Sequence, residues 1–533
     1  MAFKIPEFDF KGIKRIEIPK LDSDFSGDDY GFSIIKKYLP SILATHNINS
    51  QKINFLYNYF LGEQDILNKT RLYQKDSENN NIVVENHAFK QVSFKTAYTT
   101  GEKRDYTHKS DSTSDDLIYL DRYYTDCGFF PKDKELKDWI YSTGIGITRT
   151  VPRTDIIVRK NGITRYANAK EGFDINYNAP FKFNTLDPRT NFVVYSSSFD
   201  KEPLFCVSIV EIDVSGEDDK MPSFAKEIHI ETRYASMVIQ SDLGYTSYLW
   251  DKGATTILPK ALRYLPLIEH SSNSQRMSLI ENNRSLFNLI NTLKSNVIDM
   301  IVDNANAIFV FKNTDIDAEQ VIAMRKAGAV IISDSNNAHQ GSQADLDVIR
   351  VEIPFDGLND FSDRIMENCY DIAGVPLGSG QVTSGGDTGQ ARLLNGGWTS
   401  AWEMAQNDIM TFLVSDYEVL KTILLICRQI PNCPLNSLHA SQIDIKYRIN
   451  QTDNFLVKSQ GIINLYSANM PLEEILKASG LFSDITTVAQ KWQNRIDKMN
   501  QKPTETIEIK EETNLPRPDN RVVSANNDNN SQE

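Results

Sequence analysis

LFNLINTLKSNVIDMI, residues 286–301, is the run from which the architecture is best read. Leu286, Ile290, Leu293, Val297 and Ile301 step by four, three, four and four residues. That spacing draws one apolar stripe along about four turns of helix. Such a stripe suits an intramolecular core or a copy of itself on a neighbouring subunit. Residues 305–355 then read as a small β/α unit. Ala307–Phe311 predicts a strand, Asp317–Ala327 a helix, and Val330–Ser333 and Val348–Ile353 two more strands, with a polar loop from Asp334 to Asp345. Pro354 closes the unit, and Leu358–Ala373 predicts a second long helix. The unit therefore sits between two helices like the tip of a hairpin.

Residues 374–389, GVPLGSGQVTSGGDTG, are the richest in glycine and cannot be helical. Gln390 to Ile430 returns to helix, with a kink expected at Gly396–Gly397 and a stop at Pro431 and Pro434. Helices are predicted again over Thr452–Ser467, Leu472–Ser479 and Ser483–Lys498. Residues 502–533 are polar, carry Pro503, Pro516 and Pro518, and read as disordered.

Upstream, Phe32 to about Leu67 is helical in pattern, followed by helices at Val84–Tyr98, Leu117–Gly128 and Asp133–Ser142. Lys103 to Asp115 reads as a flexible polar loop. After Gly144 the character changes to short β-branched and aromatic runs: Ile145–Val151, Ile156–Arg159, Thr164–Asn168, Phe192–Ser196, Phe205–Ile212, Glu227–Glu231 and Ala235–Ile239. Gly, Pro, Asn and Asp separate them, as in an antiparallel β-rich module. The fold class is α+β.

The 533 residues allow several domains. With 57 basic and 71 acidic residues the formal net charge is -14. This argues against tight, sequence-independent DNA binding, which needs arrays of Lys and Arg, but not against DNA sliding past an acidic wall. Cys127, Cys206, Cys369, Cys427 and Cys433 are odd in number, widely spaced and without CxxC, so neither a disulfide framework nor a zinc site is expected. Met1–Ile16 lacks the apolar core of a signal peptide, and the apolar run near Ile423–Cys427 is too short to span a bilayer.

Enzyme signatures are missing. No GxxxxGK followed by Ser or Thr occurs, and Thr383 stands where a GxGxxG run would need its last glycine. Asp22, Asp24, Ser26 and Gly27 resemble the start of a calcium loop, but its twelfth position is Ser33 rather than Glu. His46, His87, His108, His229, His270, His339 and His439 are scattered, none at metal-ligand spacing. No GxSxG is present, and Glu473–Glu474 suits a helix start. Neither catalysis, metal nor cofactor is expected.

Several segments, in order, resemble the portal family of long-tailed phages of Gram-positive bacteria. Tyr57-Asn58-Tyr59-Phe60-Leu61-Gly62-Glu63-Gln64-Asp65-Ile66-Leu67 is similar to a family helix end. Leu186-Asp187-Pro188-Arg189-Thr190-Asn191-Phe192-Val193-Val194-Tyr195-Ser196 is similar to a family strand entry. Leu265-Pro266-Leu267-Ile268-Glu269-His270, then Asn273 and Arg276, resembles the approach to the family's stem helix, with His270 where Tyr is usual. Ile372-Ala373-Gly374-Val375-Pro376 and its Ser/Gly run form a fourth match, and Ser483–Lys498 resembles a crown helix. Gln390-Ala391-Arg392 departs from the family's Val-Ala pair, and the tail beyond Gln501 has no counterpart.

The resemblance implies a wing at 1–278, stem helices at 279–303 and 358–373 with a clip at 304–357 between them, a tunnel loop at 374–390, a long kinked wing helix at 391–430, a crown at 431–501 and the tail at 502–533. It implies a homo-oligomeric ring of about twelve copies at one capsid vertex, closed by cyclic contacts. Double-stranded DNA would pass through it transiently and without sequence preference during packaging and ejection. Ser379, Gln381, Thr383, Ser384, Asp387, Thr388 and Arg392 would line the channel. Asp315, Asp317, Arg325, Lys326, Asn336 and Asn337 of the clip would dock the large terminase subunit and later a head-completion or tail adaptor protein. Scaffold and major capsid protein are further implied partners, a membrane is not, and the implied location is the virion after assembly in the host cytoplasm. A plain linker at 374–389, a DNA-packaging nuclease or ATPase, and another head–tail connector protein are the competing readings.

Overall fold

The computed structural model describes residues 11–19, 31–68, 81–109, 116–160, 163–167, 171–213, 224–240, 256–305, 308–312, 317, 319–320, 322–323, 345–349, 355–377, 398–449, 455–479, 481 and 485–500. The architecture is α+β.

A long helix, α1 (Phe32–Leu61), opens the fold after a short strand, β1 (Ile16–Ile18). It runs unbroken through Pro40, because Phe32, Ile35, Leu39 and Ile42 are buried on one face around that residue. Gly62 ends it in the left-handed conformation, its N–H donating to Tyr59 O. Helices α2 (His87–Thr100), α3 (Asp116–Asp126) and α4 (Phe129–Thr143) follow, each within a few residues of its sequence expectation. Asn86 caps α2 by accepting from Phe89 N.

The β-rich module is two packed sheets. Strands β7 (Asn191–Ser196), β8 (Pro203–Asp213), β9 (Phe224–Thr232), β10 (Ala235–Gln240) and β11 (Thr256–Pro259) join β1 in the order β1-β7-β8-β9-β10-β11. All pairs are antiparallel except β1 with β7. The second sheet has the order β12-β3-β6, from β3 (Gly146–Pro152), β6 (Phe181–Leu186) and β12 (Leu267–His270). Period-two alternation connects the layers. Phe192, Val194, Phe205 and Val207 pack under α1, while Val193 and Cys206 turn to Ile147 and Leu267 of the second sheet. A hairpin, β4 (Ile157–Lys160) and β5 (Ile163–Tyr166), stands beside them.

Helix α5 (Leu279–Ala305) enters the hairpin expected from the sequence, and α6 (Phe355–Ala373) leaves it. Between them β13 (Ile308–Lys312) pairs antiparallel with β14 (Asp345–Ile349). Helix α7 (Trp398–Cys427) crosses the molecule. The kink expected at Gly396–Gly397 and the strand expected at Val330–Ser333 lie outside the described residues. Past α7 the chain stays in the same core: Cys433, Leu435, Leu438, Ile443 and Ile445 are buried with Leu120, Tyr124, Phe181 and Ile423. There β15 (Ile443–Lys446) pairs with β2 (Asp105–His108), so part of the segment read as a polar loop is a strand. Helices α8 (Phe455–Ser467), α9 (Leu472–Ser479) and α10 (Ile485–Asn500) pack on one another, with Tyr466 stacked on Trp492.

Candidate functional site

Helices α5 and α6 pack together. The apolar stripe of α5 is buried only at its start. Ile290 is 1% exposed, Leu293 and Val297 are half-buried, and Ile301 is 45% exposed. The core it joins contains Leu56, Tyr59, Val92, Ile140, Cys369 and Phe412 from five other helices.

A second stripe, unread in the sequence, runs beside it. Arg284, Asn288, Asn291, Ser295 and Asp299 step by four, three, four and four residues and hold the extended residues 81–86 and the turn after α1. Arg284 Nε and Asn288 Nδ2 donate to Asp65 Oδ2 at 2.9 and 2.6 Å. Tyr59 donates to Asn288 Oδ1 at 3.0 Å, and Glu85 N to Asn291 Oδ1 at 2.9 Å. Val83 N donates to Ser295 Oγ at 3.0 Å, and Asn81 N to Asp299 Oδ1 at 3.1 Å. At the start of the helix Asn283 is buried and donates to Gln91 Oε1 and Cys369 O, both at 3.1 Å, linking α2, α5 and α6. Tyr59 titrates far above its usual range because it is buried, with the Asp65 charge adding to the effect.

Helix α6 divides its faces sharply. Ser362, Ile365, Cys369, Tyr370 and Ala373 are buried. Asp356, Asp360, Asp363, Glu367 and Asp371 are all exposed and step by four, three, four and four residues. At 100° per residue these five carboxylates fall within an arc of roughly 80° and span roughly 22 Å. None of them is in an ion pair among the described residues. Their spacing is visible in the sequence and was the signal that would have found them.

The end of α6 is fixed. Gly374 N donates to Asp371 O and Val375 N to Tyr370 O, both at 2.9 Å, with Gly374 at φ 60. This is a Schellman termination, and the buried Val375 supplies its apolar contact. A Cβ on Gly374 would lie 2.1 Å from Met404 Sδ of α7, so a larger residue would have to displace that side chain as well as adopt the left-handed backbone. Beyond the gap, Trp398 at the start of α7 packs on Phe94 and Tyr98 of α2. The described residues on either side of 378–397 are thus anchored. Ser379, Gln381, Thr383, Ser384, Asp387, Thr388 and Arg392 lie outside the described residues, as do Asp315, Arg325, Lys326, Asn336 and Asn337. Asp317 is exposed and accepts from Gln320 N at 2.9 Å, a helix-capping contact within the expected helix.

A buried charge cluster braces α7. Arg104 makes ion pairs with Asp133 of α4 and Asp416 of α7, lies 4.4 Å from the Tyr447 ring centroid and is fully buried in the core. Burial opposes its charge, but the two carboxylates hold its pKa well above the usual value. Lys137 Nζ lies 3.4 Å from the Phe412 ring centroid, and burial pushes its pKa down to about 8. His270, buried beside this cluster, contacts Thr148 Oγ1 through Nε2 at 2.8 Å; burial holds its pKa well below the usual value. These are structural ties, with no opening for a substrate.

Among the described residues no group of His, Cys, Asp or Glu is placed to hold a metal ion, and no helix is long and apolar enough to cross a membrane. No curated protein matches the chain. The family model described as phage portal protein, SPP1 Gp6-like, matches residues 40–502, from within α1 to just past α10. Its members are structural rather than enzymatic, and membership implies a ring oligomer associated with the capsid. The chain belongs to the phage portal protein family of SPP1 Gp6-like type.

Proposed function

We propose that the chain is the subunit of a ring of about twelve copies at one capsid vertex, through which double-stranded DNA passes during packaging and ejection. The observation that carries this reading is the stripe of five exposed carboxylates on α6, none in an ion pair among the described residues. Arrayed around an axis, it makes a wall that repels phosphate at every height, so DNA slides without lodging in one register. Residues 374–390 follow directly and would form a collar, with Ser379, Gln381, Thr383, Ser384 and Thr388 as weak polar contacts and Asp387 and Arg392 as opposed rings of charge. The unit at 304–357 would dock the terminase motor, which supplies the energy, and then the head-completion or tail adaptor protein. Scaffold and major capsid protein would hold the outer body, in the cytoplasm during assembly and in the virion afterwards.

Replacing Asp360, Asp363 and Glu367 with Lys tests the wall. Rings with a central hole should persist in negative-stain images, while packaged genome falls at least about tenfold as phosphates bind the new cations. Full packaging by a ring carrying all three lysines would remove α6 from the channel. A purified chain that stays monomeric at every salt concentration would remove the ring itself.

A further inference from the structure

A groove of about 610 Å³ opens where α7 crosses the ends of β7 and β12. Val193, Leu267, Val414 and Leu425 make its apolar floor and wall, and Val414 is 70% exposed. Its two carboxylates are committed: Glu269 to Arg276 at 2.6 Å, and Glu418 to Lys421 at 2.6 Å. Three arginines on its rim, Arg15, Arg233 and Arg263, are exposed. Arg15 lies over the Tyr195 ring and Arg263 over the Tyr234 ring, and none of the three is in an ion pair among the described residues. An apolar floor under three uncommitted guanidiniums fits an acidic peptide bearing a pair of aliphatic side chains.

The chain contains one such segment just past the span matched by the portal family. Residues 504–515, TETIEIKEETNL, lie between Pro503 and Pro516. Glu505, Glu508, Glu511 and Glu512 against Lys510 give a net charge of 1 − 4 = −3, opposite in sign to the three rim arginines. In an extended chain Glu505, Ile507, Ile509 and Glu511 share one face, an aliphatic pair between two carboxylates. The acidic residues Glu217, Asp218 and Asp219 are tethered at the wrong end. Pro203 lines the groove, and they follow Asp213 at the far end of β8, roughly 33 Å away. The middle of their ten-residue connection (214–223) reaches back only about 17 Å.

We propose that residues 504–515 of this chain dock in this groove, with Ile507 and Ile509 on the floor and the glutamates against Arg15, Arg233 and Arg263. A segment too polar to fold alone orders on such a surface, and the contact is salt-sensitive because its ion pairs sit at an exposed rim. Amide hydrogen exchange on the full-length chain tests this, read over residues 263–271 and 411–418. Replacing Glu505, Glu508, Glu511 and Glu512 with Gln should speed exchange there at least about threefold, as should 0.5 M salt (about a 4 Å screening length). Arg233→Glu with Arg263→Glu should do the same, and adding Glu508→Lys with Glu511→Lys should restore protection. The tail variant decides the matter even if the arginine variant fails to fold, since its changes lie outside the span matched by the portal family. Unchanged exchange in the tail variant overturns the proposal. So does protection that rises with protein concentration and ignores the tail, which would assign the groove to a second copy.

Discussion

Replacing Arg104 with Leu should be the most damaging single change to the frame that holds α7. Arg104 is buried and pairs with two carboxylates, Asp133 on α4 and Asp416 on α7, which are 6% and 5% exposed. Removing it leaves both without their guanidinium, and breaking a buried pair costs about 3–5 kcal/mol. The lower end applies, because Lys137 Nζ remains nearby and has no hydrogen-bond partner among the described residues. At about 2–4 °C per kcal/mol for a unit of 150–250 residues, the melting midpoint should fall roughly 6–12 °C. The sign of the pH dependence follows from linkage. A carboxyl stranded in a core is cheaper to bury protonated, so the folded variant binds a proton that the unfolded chain has released. Stability therefore falls as pH rises, and the loss relative to the parent should be larger at pH 8 than at pH 5. Calorimetric scans at the two pH values measure it. Adding Asp133→Asn and Asp416→Asn should recover at least half the loss at pH 8. A midpoint lowered by less than about 2 °C, or a loss equal at both pH values, would refute the assignment of this cluster as the brace of α7.

Two further outcomes follow from the same geometry. Burial lowers the pKa of His46 to about 4, against its hydrogen bond to the acceptor Arg189 O, and holds that of His270 well below its usual value. Both stay neutral in the fold while the unfolded chain takes up protons below about pH 6.5, so stability should fall with pH through that point, by up to about 1.4 kcal/mol per unit for each histidine; a melting series from pH 7.5 to 5.5 should show it, and His46→Gln should make the slope shallower. Gly374→Ala should cost at least about 1–2 kcal/mol from the left-handed backbone alone, and Met404→Ala should return only the part due to the clash with Sδ, which a double-mutant cycle on thermal midpoints separates.

The long elements were legible because each is longer than its period. Leu472–Ser479 coincides with α9, and the hairpin helices differ from expectation by two or three residues at an end. Among the three- and four-residue strands the hairpin pair β4 and β5 was legible, each strand two residues from its partner. β1, β2, β11, β12 and β15 are as short and exist because partners distant in the sequence complete their hydrogen bonds, so alternation alone did not mark them. Asp105–His108, amid a polar run, becomes a strand only when Ile443–Lys446 arrives beside it. β6, Phe181–Leu186, was missed for a different reason. Its inward residues Phe181 and Phe183 are evident, but Asn184 and Thr185 interrupt the apolar signal of a strand that pairs with β3 along its whole length.

The two stripes of α5 show why the hairpin was half-read. The apolar stripe announces itself, since aliphatic side chains at helical spacing have few other uses. The polar stripe at Arg284, Asn288, Asn291, Ser295 and Asp299 has the same spacing and looks like an ordinary solvated face. Three of its bonds come from backbone N–H groups of residues 81–85, which leave no mark in a sequence. The polar stripe of α5 and the start of its apolar stripe are committed inward, and the exposed carboxylates of the two hairpin helices lie, among the described residues, on α6. Neighbouring like charges there cost an isolated helix about 0.2–0.5 kcal/mol per pair, and the buried Ile365, Cys369, Tyr370 and Ala373 on the opposite face offset it. The five carboxylates share the outward side with the exposed Arg364, so that side carries an excess of negative charge, which is what the proposed passage for a polyanion requires of its wall.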